Sequence, residues 1–175
     1  EIDAALRAQL GRVAHASFLG LTNDVAAELA ADLIARTHRG VVPEQNHRVF
    51  FSDDGSTAME AGLKMIHQAR VQRGEAERSV FLSVSAAYHG DTVGAMSLGH
   101  SPVFHRAYAG LMFASREAPS PACYRCPHNG AAPQRGVDAR AGRVCAWECV
   151  RDVEQALEET GTKASAFVLE PRVQG

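Results

Sequence analysis

Apolar positions along the chain change period several times, and each change marks an element. From 2 to 14 they fall at Ile2, Ala5, Leu6, Leu10, Val13 and Ala14, a helical spacing. His15 to Thr22 reads as a connecting loop, with Thr22 or Asn23 as cap for a second helix that runs to about Thr37. Its apolar face is Val25, Ala26, Leu29, Ala30, Leu33 and Ile34, and Gly40 and Pro43 end it. Arg48 to Ser52 reads as a short strand. Ser56 to about Arg73 reads as a helix with Ala58, Met59, Gly62, Leu63, Met65, Ile66 and Ala69 toward the core, stopped by Gly74.

Val80 to Val84 has the composition of a buried strand. A polar loop, 86–92, leads into a short helix-like segment, Val93 to Leu98, and then into a mixed stretch, Ser101 to Phe113, broken by Pro102 and Gly110. Periodicity vanishes from Ala118 to Ala146, where proline, glycine, arginine and cysteine dominate, so 114–149 is expected as an irregular excursion. Order returns with a helix at about Val150 to Glu159, closed by Gly161, and a strand, Ala164 to Leu169, that runs into Glu170-Pro171. Neither an internal repeat nor a low-complexity tract breaks the pattern.

Short apolar strands alternating with helices predict an α/β fold with a mostly parallel central sheet flanked by helices. In such sheets ligands sit beyond the carboxyl ends of the strands. The polar loops at 52–57, 86–92 and 170–175 all follow strands, which places any site on that one edge.

Composition narrows the classes. The chain has 175 residues, enough for one sizeable core, and 46% apolar content is ordinary for a globular protein. A net charge of −2 offers neither a basic field for nucleic acid nor a polybasic membrane anchor. No apolar run has the length needed to cross a bilayer. Four cysteines in this context do not make a secreted disulfide scaffold, so a cytoplasmic setting is the default. The sequence begins at Glu1 without a signal peptide and ends directly after a strand-like run; both ends read as cut, and a fragment of a larger protein is expected.

Four stretches carry chemistry, and each has a plainer reading. Ser52-Asp53-Asp54-Gly55-Ser56-Thr57 turns from a strand into a helix. Such a turn presents free backbone N–H groups to an anion, with Gly55 allowing close approach and Ser56 and Thr57 adding hydroxyls. It is equally the sequence of an ordinary helix cap. It is neither a P-loop, lacking Gly-Lys-Ser/Thr, nor a dinucleotide fingerprint. Tyr88-His89-Gly90-Asp91-Thr92 is either a packed loop or an aromatic platform for a flat cofactor with a polar residue beyond it. Glu170 stands at a strand end, where an acid touches a ligand or caps a neighbouring helix. Cys123-x2-Cys126 and Cys145-x3-Cys149 form two close pairs that suit Zn2+, the second one residue longer than usual; the alternative is four free thiols. Of the eight histidines only His89 lies in a candidate site; His15, His38, His47, His67, His100, His105 and His128 read as surface or loop residues.

In combination the stretches are more telling. Phe50 through Glu60, Tyr88-His89-Gly90-Asp91-Thr92 through Ser97, and Leu169 through Gly175 occur in an order and spacing that resembles the class III aminotransferases, pyridoxal-phosphate enzymes of fold type I. The resemblance covers nearly the whole chain and is thinnest at 114–149. It implies a partial large, cofactor-binding domain over 1–175. The Ser-Asp-Asp-Gly-Ser-Thr and Tyr-His-Gly-Asp-Thr forms, with Gly20-Leu21-Thr22, resemble the biotin-synthesis branch more than ornithine- or GABA-type relatives. That branch implies S-adenosylmethionine as amino donor and 8-amino-7-oxononanoate as keto acceptor, giving 7,8-diaminononanoate. Another class III ω-aminotransferase, a non-catalytic relative and a zinc-binding interaction module built on the four cysteines are the alternatives.

The resemblance also implies roles. Gly55 and Ser56 hold the phosphate of pyridoxal 5'-phosphate, Tyr88 lies against the ring and borders the substrate, Asp91 sits near the substrate amine, and Glu170 stands close to the ring's far side. Neither of the two lysines, Lys64 and Lys163, lies in the context of the family's catalytic lysine, which holds the cofactor's aldehyde. No catalytic residue is therefore assigned, and the 175 residues alone are expected to be inactive. A homodimer is implied for the full-length protein, with the helices at 23–38 and 56–73 as candidate faces.

Overall fold

The computed structural model describes residues 1–37, 46–123, 126–128 and 145–171. Gly40 and Pro43, expected as helix stops, and residues 172–175 of the third stretch lie outside them. The chain divides into two compact units, Glu1–Phe51 and Ser52–Gly175.

The first unit holds α1 (Ile2–Leu10) and α2 (Asp24–Thr37). Asn23 caps α2, its Oδ1 accepting the Ala26 N–H at 2.8 Å, as its short polar side chain favours. The Arg12 guanidinium meets Asp24 in the first turn of α2 at 2.5 Å. Phe18 stacks on Phe51 with centroids 6.0 Å apart. Neither helix fully buries a residue; in α2, Ala26, Ala30 and Ile34 are half-buried while Val25, Leu29 and Leu33 stay exposed. Helix α1 stops at Leu10, short of the expected 14, because Gly11 begins a turn and Val13 adds no packing.

The second unit is built on three parallel strands in the order β2-β1-β3. Strand β1 (Val80–Val84) is central, β3 is Ala164–Val168 and β2 is Arg116–Ala118. Residues Leu82, Ser83 and Val84 of β1 pair with Arg116, Glu117 and Ala118. On the other side Phe81, Leu82 and Ser83 pair with Ala166, Phe167 and Val168. Strand β2 lies inside the region expected to be irregular. Its Arg-Glu-Ala sequence carries no alternation to announce it, and pairing with β1 makes the strand. Conversely, Arg48–Ser52, expected as a strand, pairs with none of the described strands. Apolar, β-branched sequence gives extended backbone, but a strand also needs an adjacent edge.

Helix α3 (Gly55–Gln72) packs on the sheet through Leu63, which clusters with Phe81 and Leu98, flanked by Met59, Ile66, Ala166 and Val168. Its far end is tied down by polar contacts: Arg70 donates to Glu75 at 2.7 Å and to the Ser165 carbonyl at 2.8 Å. Helix α4 (Val93–Leu98) is short and almost wholly buried, which its small residues permit. The buried hydroxyl of Ser83 donates to the Leu98 carbonyl at 2.5 Å, satisfying itself inside the core. The mixed stretch resolves into α5 (Pro102–His105) and a 3-10 turn, Arg106–Leu111. Helix α6 (Glu148–Thr160) starts two residues before the expected point, entered by Trp147 in the left-handed conformation at φ 60°.

Candidate functional site

The chain enters α3 through a capping box. The Thr57 N–H donates to Asp54 Oδ1 at 2.8 Å, and the Asp54 N–H donates to Thr57 Oγ1 at 2.9 Å. Ser52 Oγ donates to Thr57 Oγ1 as well, at 2.6 Å. The backbone N–H of Thr57 holds the Asp54 carboxyl below its ordinary pKa. Thr57 is therefore committed to the cap and is no anion donor, a correction to the expectation for its hydroxyl. Gly55 and Ser56 remain as the first residues of the helix, where backbone N–H groups lack intrahelical partners and the dipole favours negative charge. A Cβ placed on Gly55 would meet nothing within 4 Å, so the space over this turn is open.

The loop after β1 folds down onto that turn. Gly90 adopts φ +121°, and a Cβ there would overlap Ser56 Oγ and stand 2.7 Å from Ser56 Cβ. Only glycine allows the two backbones to approach this closely. The Asp91 N–H reaches Ser56 Oγ at 3.3 Å. One step along, α4 begins against Glu60 of α3: the Gly94 N–H donates to Glu60 Oε1 at 2.6 Å. Two glycines thus bring the Tyr88–Thr92 loop and the amino end of α4 against the first two turns of α3.

Tyr88 is half-buried and donates its hydroxyl to Asp91 Oδ2 at 2.7 Å. That bond to a carboxylate, together with burial, raises the phenol's pKa. The ring is backed by His105, near-parallel at 17° with centroids 6.1 Å apart, and by the edge of Phe104 at 5.8 Å. His105 is only 3% exposed, and its Nε2 lies 4.0 Å from Asp91 Oδ1. The expectation of a surface or loop histidine fails here, because a residue in a four-residue helix gives no periodic signal of burial. His100 is half-buried as well, with Nδ1 3.6 Å from Glu117 Oε2.

Gly55, Ser56, Tyr88 and Glu170 line one open cleft of about 460 Å³ at the carboxyl edge of the sheet, together with Met59, His89, Gly90, Val168 and Leu169. Four of the five expected site residues are thus brought together. Asp91 is exposed and does not line the cleft; it accepts the Tyr88 hydroxyl. The apolar floor residues Met59, Val168 and Leu169 were not expected, since nothing in their type separates them from core. His89 presents a buried Nε2 with no hydrogen-bond partner among the described residues. Burial holds its imidazole below the ordinary pKa, against the pull of the Glu170 carboxylate. An open helix end and an aromatic wall fit a small planar ligand with an anionic arm.

Both lysines are exposed and lie away from this cleft. Lys64 sits nine residues into α3, roughly 13 Å along the axis from Gly55. Lys163 precedes β3, so about 16 Å of strand separates it from the carboxyl edge.

Parallel strands whose carboxyl ends open onto a helix amino end define an α/β ligand-binding domain. The chain belongs to the class III aminotransferases: the family model described as aminotransferase class-III matches residues 1–175. Adenosylmethionine-8-amino-7-oxononanoate aminotransferase of Geobacter sulfurreducens is 42% identical over 175 residues, covering 100% of this chain and 36% of the relative. The protein of that name from Nitratidesulfovibrio vulgaris is 43% identical over 176 residues, covering 99% and 30%. Among solved structures, adenosylmethionine-8-amino-7-oxononanoate aminotransferase from Methanocaldococcus jannaschii superposes with TM-score 0.77 at 30% identity, covering 99% of this chain and 33% of that one. An amine transaminase from an uncultivated Pseudomonas species, in its PLP-bound form, gives TM-score 0.77 at 31% identity over 99% and 36%. The fold is accordingly a partial α/β domain of fold type I. The chain spans about a third of the length of these relatives.

Proposed function

We propose that residues 1–175 form part of the large domain of a pyridoxal-phosphate-dependent aminotransferase, and that the cleft is where the cofactor lies. The observation that carries this is the close packing of the Gly90 loop on Ser56, which sets the Tyr88 ring beside the open amino end of α3. Gly55 and Ser56 would hold the phosphate through N–H groups and the Ser56 hydroxyl. Tyr88 would lie against the ring, Asp91, outside the cleft lining, would act by fixing Tyr88, and Glu170 would stand by the ring's far side. When bound, the cofactor supplies the aldehyde and the electron-withdrawing ring on which amino groups are exchanged.

In the intact protein the reaction is transfer of an amino group from S-adenosylmethionine to 8-amino-7-oxononanoate, giving 7,8-diaminononanoate for biotin synthesis. The names of the relatives at 42% and 43% identity support this choice. A second reading, an ω-aminotransferase acting on another amine, is favoured by the equally good superposition on the amine transaminase. A homodimer and a cytoplasmic setting go with either reading. The outward apolar face of α2, with Val25 43% and Leu29 49% exposed, supports burial against a partner. No described helix is long and apolar enough to cross a membrane.

With neither lysine lining the cleft, the 175 residues alone are expected to bind the cofactor reversibly and to turn nothing over. The test uses both forms of the protein. On this chain, pyridoxal phosphate binding is followed by absorbance, and Ser56→Ala should weaken it about tenfold or more, as loss of a hydrogen bond to a charged group does. On the intact protein, 7,8-diaminononanoate formation is measured with S-adenosylmethionine and with simple amines as donors. Turnover with simple amines alone would replace the first reading by the second. Transaminase turnover by the 175-residue chain would refute the division of labour.

A further inference from the structure

We infer that His105 is a positioning residue for the cleft: its buried ring sets the tilt of the Tyr88 ring and faces the carboxylate that holds the Tyr88 hydroxyl. The inference rests on the reading of the cleft as a cofactor site, and it adds to that site a residue outside its lining. Tyr88 lines the cleft, and its ring lies near-parallel to the His105 imidazole, at 17° with centroids 6.1 Å apart. Phe104 meets the same ring by its edge, with centroids 5.8 Å apart. The Tyr88 hydroxyl donates to Asp91 Oδ2 at 2.7 Å, and the other oxygen of that carboxylate stands 4.0 Å from His105 Nε2. That separation is an ion-pair distance, too long for a hydrogen bond, and Nε2 has no hydrogen-bond partner among the described residues. His105 therefore meets both members of the Tyr88–Asp91 pair, one through its ring face and the other through a ring nitrogen.

Of the three residues, His105 is the fixed one. Its side chain is 4% exposed, whereas that of Asp91 is 71% exposed. An exposed carboxylate holds its partner only weakly, so Asp91 alone cannot fix the Tyr88 ring. The imidazole has a close seat on the backbone just after α4. Its Nδ1 lies 3.4 Å from the Gly99 carbonyl, and a Cβ on Gly99 would overlap Cε1 and stand 2.8 Å from Nδ1. At its other end α4 is tied to α3, where the Gly94 N–H donates to Glu60 Oε1, and the Asp91 N–H reaches Ser56 Oγ at 3.3 Å. The contacts thus form a circuit from α3 through α4 and Gly99 to His105, then through Tyr88 and Asp91 back to the Ser56 turn. An aromatic ring has two faces. With one of them against His105, a flat ligand in the cleft meets the rest of the Tyr88 ring, and attraction between flat rings depends on their mutual tilt and offset. A change at position 105 should reach the ligand as a change in that tilt. A side chain that merely filled the space would instead be replaceable by any other of similar bulk.

The test uses the intact protein with pyridoxal 5'-phosphate as probe. Two quantities are read: its dissociation constant, and the circular dichroism of its visible band, which reports how the bound ring is held. His105→Leu keeps bulk and removes the flat ring; it should weaken the cofactor about five- to tenfold, the share of one aromatic stack, and reduce the visible band. His105→Phe restores a flat ring and should bring affinity back to within about twofold, since the exposed pair with Asp91 contributes little, and should recover the band. In a Tyr88→Ala background His105→Leu should change affinity by less than about twofold, because its effect passes through that ring. Should His105→Leu fail to fold, His105→Met, whose side chain adapts to irregular gaps, takes its place with the same expectation. Equal losses in the Leu and Phe variants would overturn the inference, and so would a loss that persists undiminished in the Tyr88→Ala background. Cofactor binding and dichroism unchanged by His105→Leu would overturn it alone, while absence of cofactor binding by the unaltered protein would overturn the reading of the cleft along with it.

Discussion

Gly90 is the position where the fold and the proposed site depend on the same atoms, and Gly90→Ala is the sharpest perturbation of both. The added methyl would overlap Ser56 Oγ and stand 2.7 Å from Ser56 Cβ and 3.0 Å from Ser56 Cα. The hydroxyl can rotate away; the Cβ and Cα cannot, because they belong to the first turn of α3. Carbon atoms in contact prefer about 3.5–4.0 Å, so the loop must withdraw by about 1 Å. Separately, φ +121° is a conformation open to glycine and strained for alanine. Backbone strain of this kind costs about 1–3 kcal/mol and overpacking another 1–3 kcal/mol. Withdrawal of the loop relieves part of both, which leaves about 2–4 kcal/mol.

The assay is thermal or urea unfolding of Gly90→Ala, Ser56→Gly and the double variant, with pyridoxal phosphate binding measured alongside. A midpoint lowered by roughly 5–15 °C is expected for a chain of this size. Cofactor affinity should fall about tenfold or more, because the Tyr88 wall moves off the phosphate turn. Ser56→Gly removes Oγ and Cβ, so Gly90→Ala should cost about 1–2 kcal/mol less in that background, a coupling that only direct contact produces. Gly62→Ala is the control: its Cβ meets nothing within 4 Å, and alanine should stabilise α3 by about 0.5–1 kcal/mol. A Gly90→Ala penalty under about 0.5 kcal/mol, or one of equal size in both backgrounds, would refute the close approach of the two loops.

Three further outcomes follow from single contacts. Glu60→Ala strips the acceptor from the Gly94 N–H, which lies within the buried α4, and should cost about 1–3 kcal/mol by urea unfolding, whereas Glu60→Gln keeps an acceptor and should cost clearly less. Leu98→Ala empties a site that is 0% exposed and should cost about 2–5 kcal/mol by the same measurement. Asp54 has its folded pKa depressed below the ordinary 3.8, so its capping contribution is fully present above that value and is lost as pH falls through the depressed one. Helical circular dichroism followed from about pH 6 to about pH 2 should therefore drop less in Asp54→Asn, which caps without titrating; identical profiles would remove Asp54 as the titrating cap.

Legibility in the sequence followed the range of the signal. Helix α3 and strand β1 were readable almost to the residue because their determinants are local: a cap at Asp54, a stop at Gly74, an unbroken apolar run at Val80–Val84. Strand β2 was not, because Arg116-Glu117-Ala118 becomes a strand only by lying along Leu82–Val84. Arg48–Ser52 failed in the opposite sense, having strand composition without a partner edge. Of the expected site residues, Gly55, Ser56, Tyr88 and Glu170 line one cleft: the turn into α3 marked the first two, and position after β1 and β3 marked the other two, while their roles rested on the resemblance. The commitment of Thr57 to the cap was also legible in the Asp54-x-x-Thr57 spacing of a capping box, a signal that the anion reading of the same turn obscured. The burial of His105 behind Tyr88 had no such signal.

The charge of the cleft argues for how an anion would be selected there. Among the described residues its lining carries no lysine or arginine, and it includes Glu170. The Asp54 carboxylate occupies the same first turn as the open N–H groups and already takes the one from Thr57. Affinity has to come from the few oriented donors of Gly55 and Ser56, reinforced by the helix dipole, and from contact of a ring with Tyr88 and the apolar floor. Neither half is strong alone. A phosphate without a ring gains only the donors, while a ring without a phosphate gains only the wall and floor. Inorganic phosphate and pyridoxal should each bind this cleft far more weakly than pyridoxal phosphate, as measured by competition. If inorganic phosphate matched the cofactor, the turn would be a generic anion site and the aromatic wall would be packing alone.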